Sequence, residues 1–310
     1  MTSSRLPSPV SRLPNTSTNR IALAFEKARQ DNRAAFIGYL TAGDPSVEAT
    51  MAMAYALARA GTDILELGVP FSDPIADGPV LQRSAERALA SGTTLGRVFE
   101  TARRIRAETS LGLVLFSYLN PLLRPGLGAT ARNARQAGFD AILVTDLPPE
   151  EAGQIQPDFR SAGLDTVFLV SPTSPASRMR AAAHLSSGFL YVVSRSGTTG
   201  TRSGLSHDLR DTVARARRAA GSLPIAIGFG ISTPETARRA SRLADGVVVG
   251  SALMRAAEEA GEDRENAVEQ LARALASACR RRGKTIESRE SRVGKTAKPR
   301  RARGVRTMDS

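Results

Sequence analysis

The chain has 310 residues, of which 41% are hydrophobic and 24% charged. This length and composition are enough for one large domain with a buried core. No apolar run approaches the roughly 18 residues of a spanning helix, which excludes a membrane-spanning protein. One cysteine, Cys279, and two histidines exclude an internal disulfide and argue against a structural zinc site. The net charge of +13 suggests nucleic-acid binding, but residues 1–20 and 280–310 hold all except one of these charges, so the body of the chain is not organised around a polyanion.

The first twenty residues are rich in Ser, Thr, Pro and Arg and show no hydrophobic periodicity, which predicts a disordered N-terminal segment. The segment has no acidic residue, as in an organelle transit peptide, but Pro7, Pro9 and Pro14 oppose the amphipathic helix that such peptides form. We therefore expect a cytoplasmic protein, with organelle import through this segment as the alternative.

From Ile21 to about Arg282 the chain alternates between helical patterns and short apolar runs. The runs are four to seven residues long and almost wholly apolar, as is typical of parallel strands covered on both faces. The predicted strands are Ala35–Thr41, Thr62–Leu67, Leu113–Phe116, Ala141–Thr145, Thr166–Val170, Phe189–Val193, Pro224–Gly228 and Gly246–Val249.

The segments between these runs have helical spacing. They are Ser46–Ala60, Thr94–Glu108, Ala129–Ala137, Pro149–Ala162, Pro175–Leu185, Asp208–Ala220 and Pro234–Leu243, with a further helix from Pro79, a short one over Ser251–Glu258 and an extra one before the first strand. Eight β/α units in about 260 residues match a (β/α)8 TIM barrel, whereas a doubly wound sheet usually stops at five to seven strands. We therefore predict a single TIM-barrel catalytic domain over 21–282, with a basic disordered tail over 283–310.

In a TIM barrel the catalytic groups lie at the carboxyl ends of the strands and in the loops that follow. Glu66 lies near the end of the second strand, and its neighbours Leu65 and Leu67 should point the opposite way. A carboxylate facing the barrel interior or mouth is costly unless it is solvated, hydrogen-bonded or functional, and desolvation raises its pKa into the range useful for acid–base chemistry. Glu66 is thus a candidate general acid/base, with a structural partner of a backbone amide or an arginine as the alternative.

Asp73 and Asp77 follow in a loop stiffened by Pro70, Pro74 and Pro79. One carboxylate on a strand and another on its loop have different environments, which is how an enzyme separates an acid from a base. Turn capping explains Asp73 as well as function does, so Asp77 is the better catalytic candidate.

Three glycine-containing loops follow strands six, seven and eight, where TIM barrels commonly bind phosphate. Gly200, Gly230 and Gly250 let backbone N–H groups approach an anion, and Ser251 can donate its hydroxyl from the first turn of a short helix. Each glycine alone is equally consistent with an ordinary turn, but together they predict a phosphorylated substrate.

Several strings, in order along the predicted barrel, resemble one family. They are YLTAGDP, LELGVPFSDPIADGP, YLNP, TDLPPEE, YVVSRSGTTG, GFGIS and GSALM. The chain is similar in them to the α subunits of tryptophan synthase. The resemblance implies a carbon–carbon lyase of tryptophan biosynthesis, which cleaves indole-3-glycerol phosphate to indole and glyceraldehyde 3-phosphate by a retro-aldol reaction without cofactor or metal.

The resemblance also assigns residues to roles. Glu66 matches the general acid/base, Asp77 the carboxylate that accepts the indole N–H, and Tyr191 a supporting tyrosine near the glutamate, although Tyr191 can equally be an interior aromatic. Thr199 and Gly200 match the loop that closes over the substrate, and Thr199 a residue that contacts the aspartate when the loop is closed. The predicted indole pocket comprises Tyr39, Phe116, Tyr118, Leu143 and Leu169, all of which fit ordinary interior layers as well.

The same resemblance implies a partner, a pyridoxal-phosphate β subunit that takes up the indole in an α2β2 tetramer. The docking surface includes the loop after the second strand, with Pro70, Asp73 and Pro74. This chain has no pyridoxal-phosphate site that we can identify, because Lys27 is its only lysine before Lys284 and lies in a helix ahead of the first strand, a poor place for a Schiff base.

Three other functions compete with this interpretation. A stand-alone indole-3-glycerol phosphate lyase would release free indole without a partner, and another phosphate-binding barrel is disfavoured by the strings around Glu66 and Asp77. A barrel that binds nucleic acid through its tail is less favoured, because residues 280–310 carry twelve Lys and Arg but no aromatic residue for base stacking. We expect that tail to be solvated and disordered.

Overall fold

Eight parallel strands close into a barrel in chain order, from β1 to β8 and back to β1. The structure, a computed structural model, describes residues 19–193, 207–228 and 230–281. The strands are β1 (Ala35–Thr41), β2 (Ile64–Gly68), β3 (Gly112–Ser117), β4 (Ala141–Val144), β5 (Asp165–Val170), β6 (Leu190–Val193), β7 (Ile225–Gly228) and β8 (Gly246–Val249). The predicted TIM barrel is confirmed, and the bounds of β1 and β8 agree with the sequence to the residue.

Helices surround the barrel. They are α1 (Arg20–Gln30), α2 (Val47–Arg59), α3 (Pro79–Ala90), α4 (Leu95–Glu108), α5 (Leu119–Leu123), α6 (Leu127–Gln136), α7 (Gln156–Ser161), α8 (Ala176–Leu185), α9 (His207–Ala220), α10 (Pro234–Ser241), α11 (Ser251–Ala260) and α12 (Arg264–Ala278). The extra helix predicted before the first strand is α1, which begins where the Asn19 side chain accepts the backbone N–H of Ile21 at 2.9 Å.

One predicted helix is wrong in length. The pattern over Pro149–Ala162 predicts a single helix, but the structure has a 3-10 turn over Ala152–Gln154 and the short α7 over Gln156–Ser161. Gly153 weakens a helix, and Pro157 has no N–H to donate and fits only the first turn, so α7 begins beside it. The short α5 was not predicted.

The strand residues alternate between two apolar cores. Residues such as Ile37, Val114 and Leu143 fill the barrel interior, while Leu65 and Leu67 pack in the layer between the barrel and the helices. The interior closes at the amino ends of the strands, where Phe25 of α1 lies 5.6 Å from Phe189, measured between ring centroids. The described part of the barrel interior is therefore filled by side chains at the amino ends of the strands.

Aspartates at the amino ends of strands tie neighbouring strands together. Asp63 accepts the N–H of Phe36 at 2.8 Å and Asp140 that of Leu113 at 3.0 Å. Each carboxylate also binds an arginine of the surrounding layer, for example Arg106 on Asp140 at 2.7 Å. These ion pairs lie at the end of the barrel opposite to the predicted site, which is where TIM barrels build stability and not chemistry.

Candidate active site

Glu66 lies inside the barrel, as its alternation with Leu65 and Leu67 predicts. It pairs in register with Tyr39 of β1 and Val114 of β3, and only 1% of the residue is exposed. Within the described part of the chain, its Oε1 atom has no hydrogen-bond partner. The alternative of a structural carboxylate satisfied by an amide or arginine therefore finds no support at this oxygen.

Burial dominates the electrostatics of Glu66. Removal from water raises the pKa of its carboxyl group from 4.5 to about 8, because a buried carboxylate loses the hydration that stabilises its charged form. Tyr191 lies close by, in β6, and the pKa of its phenol is raised by burial and by the charge of Glu66. At neutral pH the Glu66 side chain is thus mostly protonated and can donate a proton.

Asp77 occupies the loop between β2 and α3, at the mouth of the barrel. The loop turns through a hydrogen bond from the Asp77 N–H to the carbonyl of Pro74 at 3.0 Å, and it is held to β3 by the Ala76 N–H, which donates to the Tyr118 hydroxyl at 3.0 Å. Partial burial raises the pKa of Asp77 from 3.8 to about 6, while a hydrogen bond from Tyr118 lowers it in part. Asp77 is therefore ionised at neutral pH, unlike Glu66.

Tyr39 lies close enough to both carboxylates to sense their charges. Burial, together with the charges of Asp77 and Glu66, raises the pKa of its phenol, and its ring meets that of Phe116 edge to face at a centroid distance of 5.1 Å. The hydroxyl lies so close to β2 that a Cβ atom at Gly68 would be 2.2 Å from it. Gly68 is required there because no larger residue leaves room for the phenol.

The sequence did not indicate the polar contacts of Tyr39, which was predicted only as a wall of an apolar pocket. Its hydroxyl lies 3.2 Å from Thr41 Oγ1, and Thr41 in turn hydrogen-bonds Ser84 of α3. Thr41 and Ser84 are both fully buried. A threonine at the end of an apolar strand and a serine on the inner face of a helix were the only available signals, and neither specifies the other.

The structure brings most of the predicted pocket residues to one place. Phe116 and Leu169 are half-buried at inward strand positions, and Tyr118 stacks on Phe71 at a centroid distance of 5.3 Å. Leu143 is fully buried in the interior cluster, so it supports the floor beneath these side chains. Together these side chains form an aromatic and aliphatic surface beside the two carboxylates Glu66 and Asp77. Such a surface is suited to binding a planar apolar ring.

The predicted phosphate site is described in part. Gly230 has a left-handed φ of +73°, Gly250 precedes the first turn of α11, and Ser251 is exposed as its first residue. The N–H groups at the start of a helix attract anions, so Gly250 and Ser251 are placed to bind one. Thr199 and Gly200 lie outside the described residues.

Asp73 and Pro70, both predicted for the docking surface, differ in exposure. Asp73 is exposed and accepts a hydrogen bond from Ser72 at 2.5 Å, while Pro70 is buried and offers no surface for docking. The neighbouring Ile75 is 87% exposed.

Among the described residues no group of His, Cys, Asp and Glu is arranged to hold a metal ion, and no helix is long and apolar enough to cross a membrane.

A cavity of about 770 Å³ does not contain these residues. It lies at the opposite end of the barrel, between α1, the amino end of β2 and the end of α12. We place the functional site at the carboxyl ends of the strands all the same, because the buried Glu66 and the ionised Asp77 are there and the cavity holds no comparable pair.

Comparisons with known proteins identify the family. The model of the tryptophan synthase alpha chain matches residues 25–281. The tryptophan synthase alpha chain of Solibacter usitatus is 49% identical over 243 residues, 78% of this chain and 91% of that protein, and that of Geobacter sulfurreducens is 47% identical over 237 residues, 76% and 89%.

Solved structures agree with these relatives. The tryptophan synthase alpha chain from Legionella pneumophila subsp. pneumophila matches with a TM-score of 0.78 and 36% identity, covering 87% of this chain and all of that one. Tryptophan synthase from M. tuberculosis in its open form matches with a TM-score of 0.77 and 35% identity over 85% of this chain and 99% of that one. The chain belongs to the tryptophan synthase alpha chain family.

Proposed function

We propose that the chain is a carbon–carbon lyase that cleaves indole-3-glycerol phosphate to indole and glyceraldehyde 3-phosphate, with Glu66 and Asp77 as its catalytic carboxylates. The observation that carries the proposal is the protonation split between these two groups: burial raises the pKa of Glu66 to about 8, whereas that of Asp77 is about 6. At neutral pH Glu66 can donate a proton, and the ionised Asp77 can accept a hydrogen bond from a positively charged ring N–H.

The chemistry begins with the indole ring. Glu66 gives its proton to the ring carbon that bears the glycerol chain, which leaves the ring as an indoleninium ion. Asp77 accepts the hydrogen bond of the ring N–H and so stabilises the positive charge that develops there. The pKa of Asp77, about 6, keeps this group ionised for that purpose.

Bond cleavage then returns the proton to the enzyme. The Glu66 carboxylate removes the proton of the hydroxyl on the adjacent chain carbon, whose C–O bond becomes the carbonyl of glyceraldehyde 3-phosphate. The electron pair of the breaking carbon–carbon bond moves into the ring and neutralises its nitrogen, so indole leaves. Glu66 ends the cycle protonated as it began, and the reaction consumes no cofactor or metal.

The other residues bind and orient the substrate in this proposal. Tyr39, Phe116, Tyr118 and Leu169 line the ring site above Leu143, and Tyr191 orients Glu66. The phosphate lies against Gly230 after β7 and against Gly250 and Ser251 at the start of α11, where the first N–H groups of the helix favour an anion. We further propose, from the sequence alone, that Gly200 adds to this site and that Thr199 closes over the substrate.

We propose that indole passes to a β subunit in an α2β2 tetramer and that pyridoxal phosphate is confined to that subunit. The exposed Ile75 and Asp73, in the same loop as Asp77, support a docking surface at this end of the barrel. The cytoplasmic location stays a prediction.

The test is indole release from indole-3-glycerol phosphate by the full chain, alone and with a β subunit. Glu66→Gln and Asp77→Asn should each lose at least about 10²-fold in kcat, as is typical of positioned acid–base groups. Glu150→Gln, an exposed carboxylate at the same end of the barrel, is the matched control and should keep full activity. No release by the folded wild-type chain under either condition would overturn the proposal, whereas full activity without the partner would favour the stand-alone lyase.

A further inference from the structure

Four charged side chains connect α3, α11 and the loop after β1. Arg83 and Arg87 of α3 both bind Glu258 of α11, Arg83 through two bonds of 2.9 and 2.7 Å and Arg87 at 2.7 Å. Arg87 also binds Asp44 with two parallel bonds of 2.7 Å each. We call these four residues the α3–α11 ion network.

The network is anchored at a buried point. The side chain of Asp44 is only 4% exposed, so its charge depends on the bidentate pair with Arg87. The preceding residue is fixed as well: Gly43 has a left-handed φ of +84°, and its N–H donates to Thr50 at 2.9 Å. One end of the network is therefore held rigidly to the barrel.

The two helices that the network joins lead to the two ends of the proposed substrate site. α3 begins at Pro79, two residues after Asp77, and α11 begins at Ser251, beside the proposed phosphate site. Glu258 lies seven residues after Ser251, which is two helical turns and hence the same face of α11. The distance between the helix that follows Asp77 and the helix that starts at Ser251 is thus set in part by Glu258.

The link does not weaken across the working pH range. Hydrogen bonds from the two arginines lower the pKa of Glu258 to about 2, so the carboxylate stays ionised. Isolated surface ion pairs contribute little. Here, however, one carboxylate holds two guanidinium groups, and one of these is already fixed by Asp44.

We propose that Glu258 is a positioning residue, which holds the amino end of α11 at the correct distance from Asp77 for the phosphate of the substrate. The inference rests on the proposed function and adds to it a residue that touches neither the ring nor the phosphate. A small shift of α11 weakens the contacts of its N–H groups, while the ring site on the strands is unchanged.

The experiment compares Glu258→Gln with Glu269→Gln in the full chain. Glu269 is a matched control because it also binds two arginines, Arg59 at 2.6 Å and Arg273 at 2.7 Å, and is equally half-buried, but it joins α2 to α12 away from the site. We measure kcat and KM for indole release, and the binding of inorganic phosphate and of indole by calorimetry. Thermal unfolding shows that both variants are folded.

We expect Glu258→Gln to raise KM and to weaken phosphate binding about fivefold to tenfold, with kcat and indole binding within about twofold of wild type. Glu269→Gln should leave all four quantities unchanged. Wild-type values for Glu258→Gln, equal losses in both variants, or a loss in kcat at constant KM would each overturn the inference. If the wild-type chain releases no indole, the proposed function fails, and the phosphate binding of the two variants still tests the role of Glu258.

Discussion

The buried carboxyl group of Glu66 should make the stability of the protein depend on pH in a particular direction. Its pKa is 4.5 when exposed and about 8 in the folded protein. Between these values the folded state holds a proton that the unfolded state has lost, so the free energy of unfolding falls by about 1.4 kcal/mol per pH unit as the pH rises. The stabilisation is fully present below pH 4.5 and is lost as the pH rises through about 8, a total of about 4 to 5 kcal/mol.

Urea unfolding of the wild type and of Glu66→Gln at several pH values between 5 and 9 isolates this effect. Glutamine has the shape of the protonated acid and does not titrate, and all other groups cancel in the difference between the two proteins. We expect the variant to gain stability over the wild type by about 1.4 kcal/mol per pH unit up to pH 8, and by nothing further above it. A difference that stays constant with pH would refute the reasoning, since it would mean that Glu66 ionises in the folded state as it does in water.

Two further predictions concern packing and buried charge. Gly68→Ala places a Cβ atom 2.2 Å from the Tyr39 hydroxyl and should lower the free energy of unfolding in urea by about 1 to 3 kcal/mol. The loss should be much smaller in a Tyr39→Ala background, and an equal loss in both backgrounds would show that the phenol is not the obstacle. Asp140→Asn leaves the guanidinium of Arg106, 14% exposed, without its carboxylate and should cost about 3 to 5 kcal/mol, whereas the exposed Glu150→Gln should not change the unfolding midpoint. Equal stability of Asp140→Asn and wild type would contradict the assigned role of this ion pair.

The barrel was predictable because each strand is buried on both faces. The strands therefore appear in the sequence as short apolar runs. In β1 and β8 the composition changes at both ends of the run, and this change marks where the strand begins and ends. The helix predicted before β5 was wrong in length, because helical spacing over Pro149–Ala162 does not show whether Gly153 and Pro157 permit one continuous helix.

The candidate site was predictable only where neighbours in sequence determine it. The inward position of Glu66 follows from Leu65 and Leu67 on either side, since a strand alternates its faces. The ion pair between Arg87 and Glu258 joins residues 171 positions apart, and no local pattern specifies it. The same holds for the bond between Thr41 and Ser84, which exists only because the barrel closes and α3 packs on it.

The contrast between Glu66 and Asp77 follows from the elements that carry them. Glu66 faces the barrel interior from a strand and is shielded from water, so it keeps its proton up to a pH of about 8. A loop residue at the mouth is only half-buried and can be met by a hydroxyl, here that of Tyr118, so the pKa of Asp77 stays at about 6. Two carboxylates side by side in the barrel interior would share one environment, and the charge on one would disfavour the charge on the other. By placing one group on β2 and the other eleven residues later on the loop that follows it, the fold itself creates a proton donor and a proton acceptor that coexist at neutral pH.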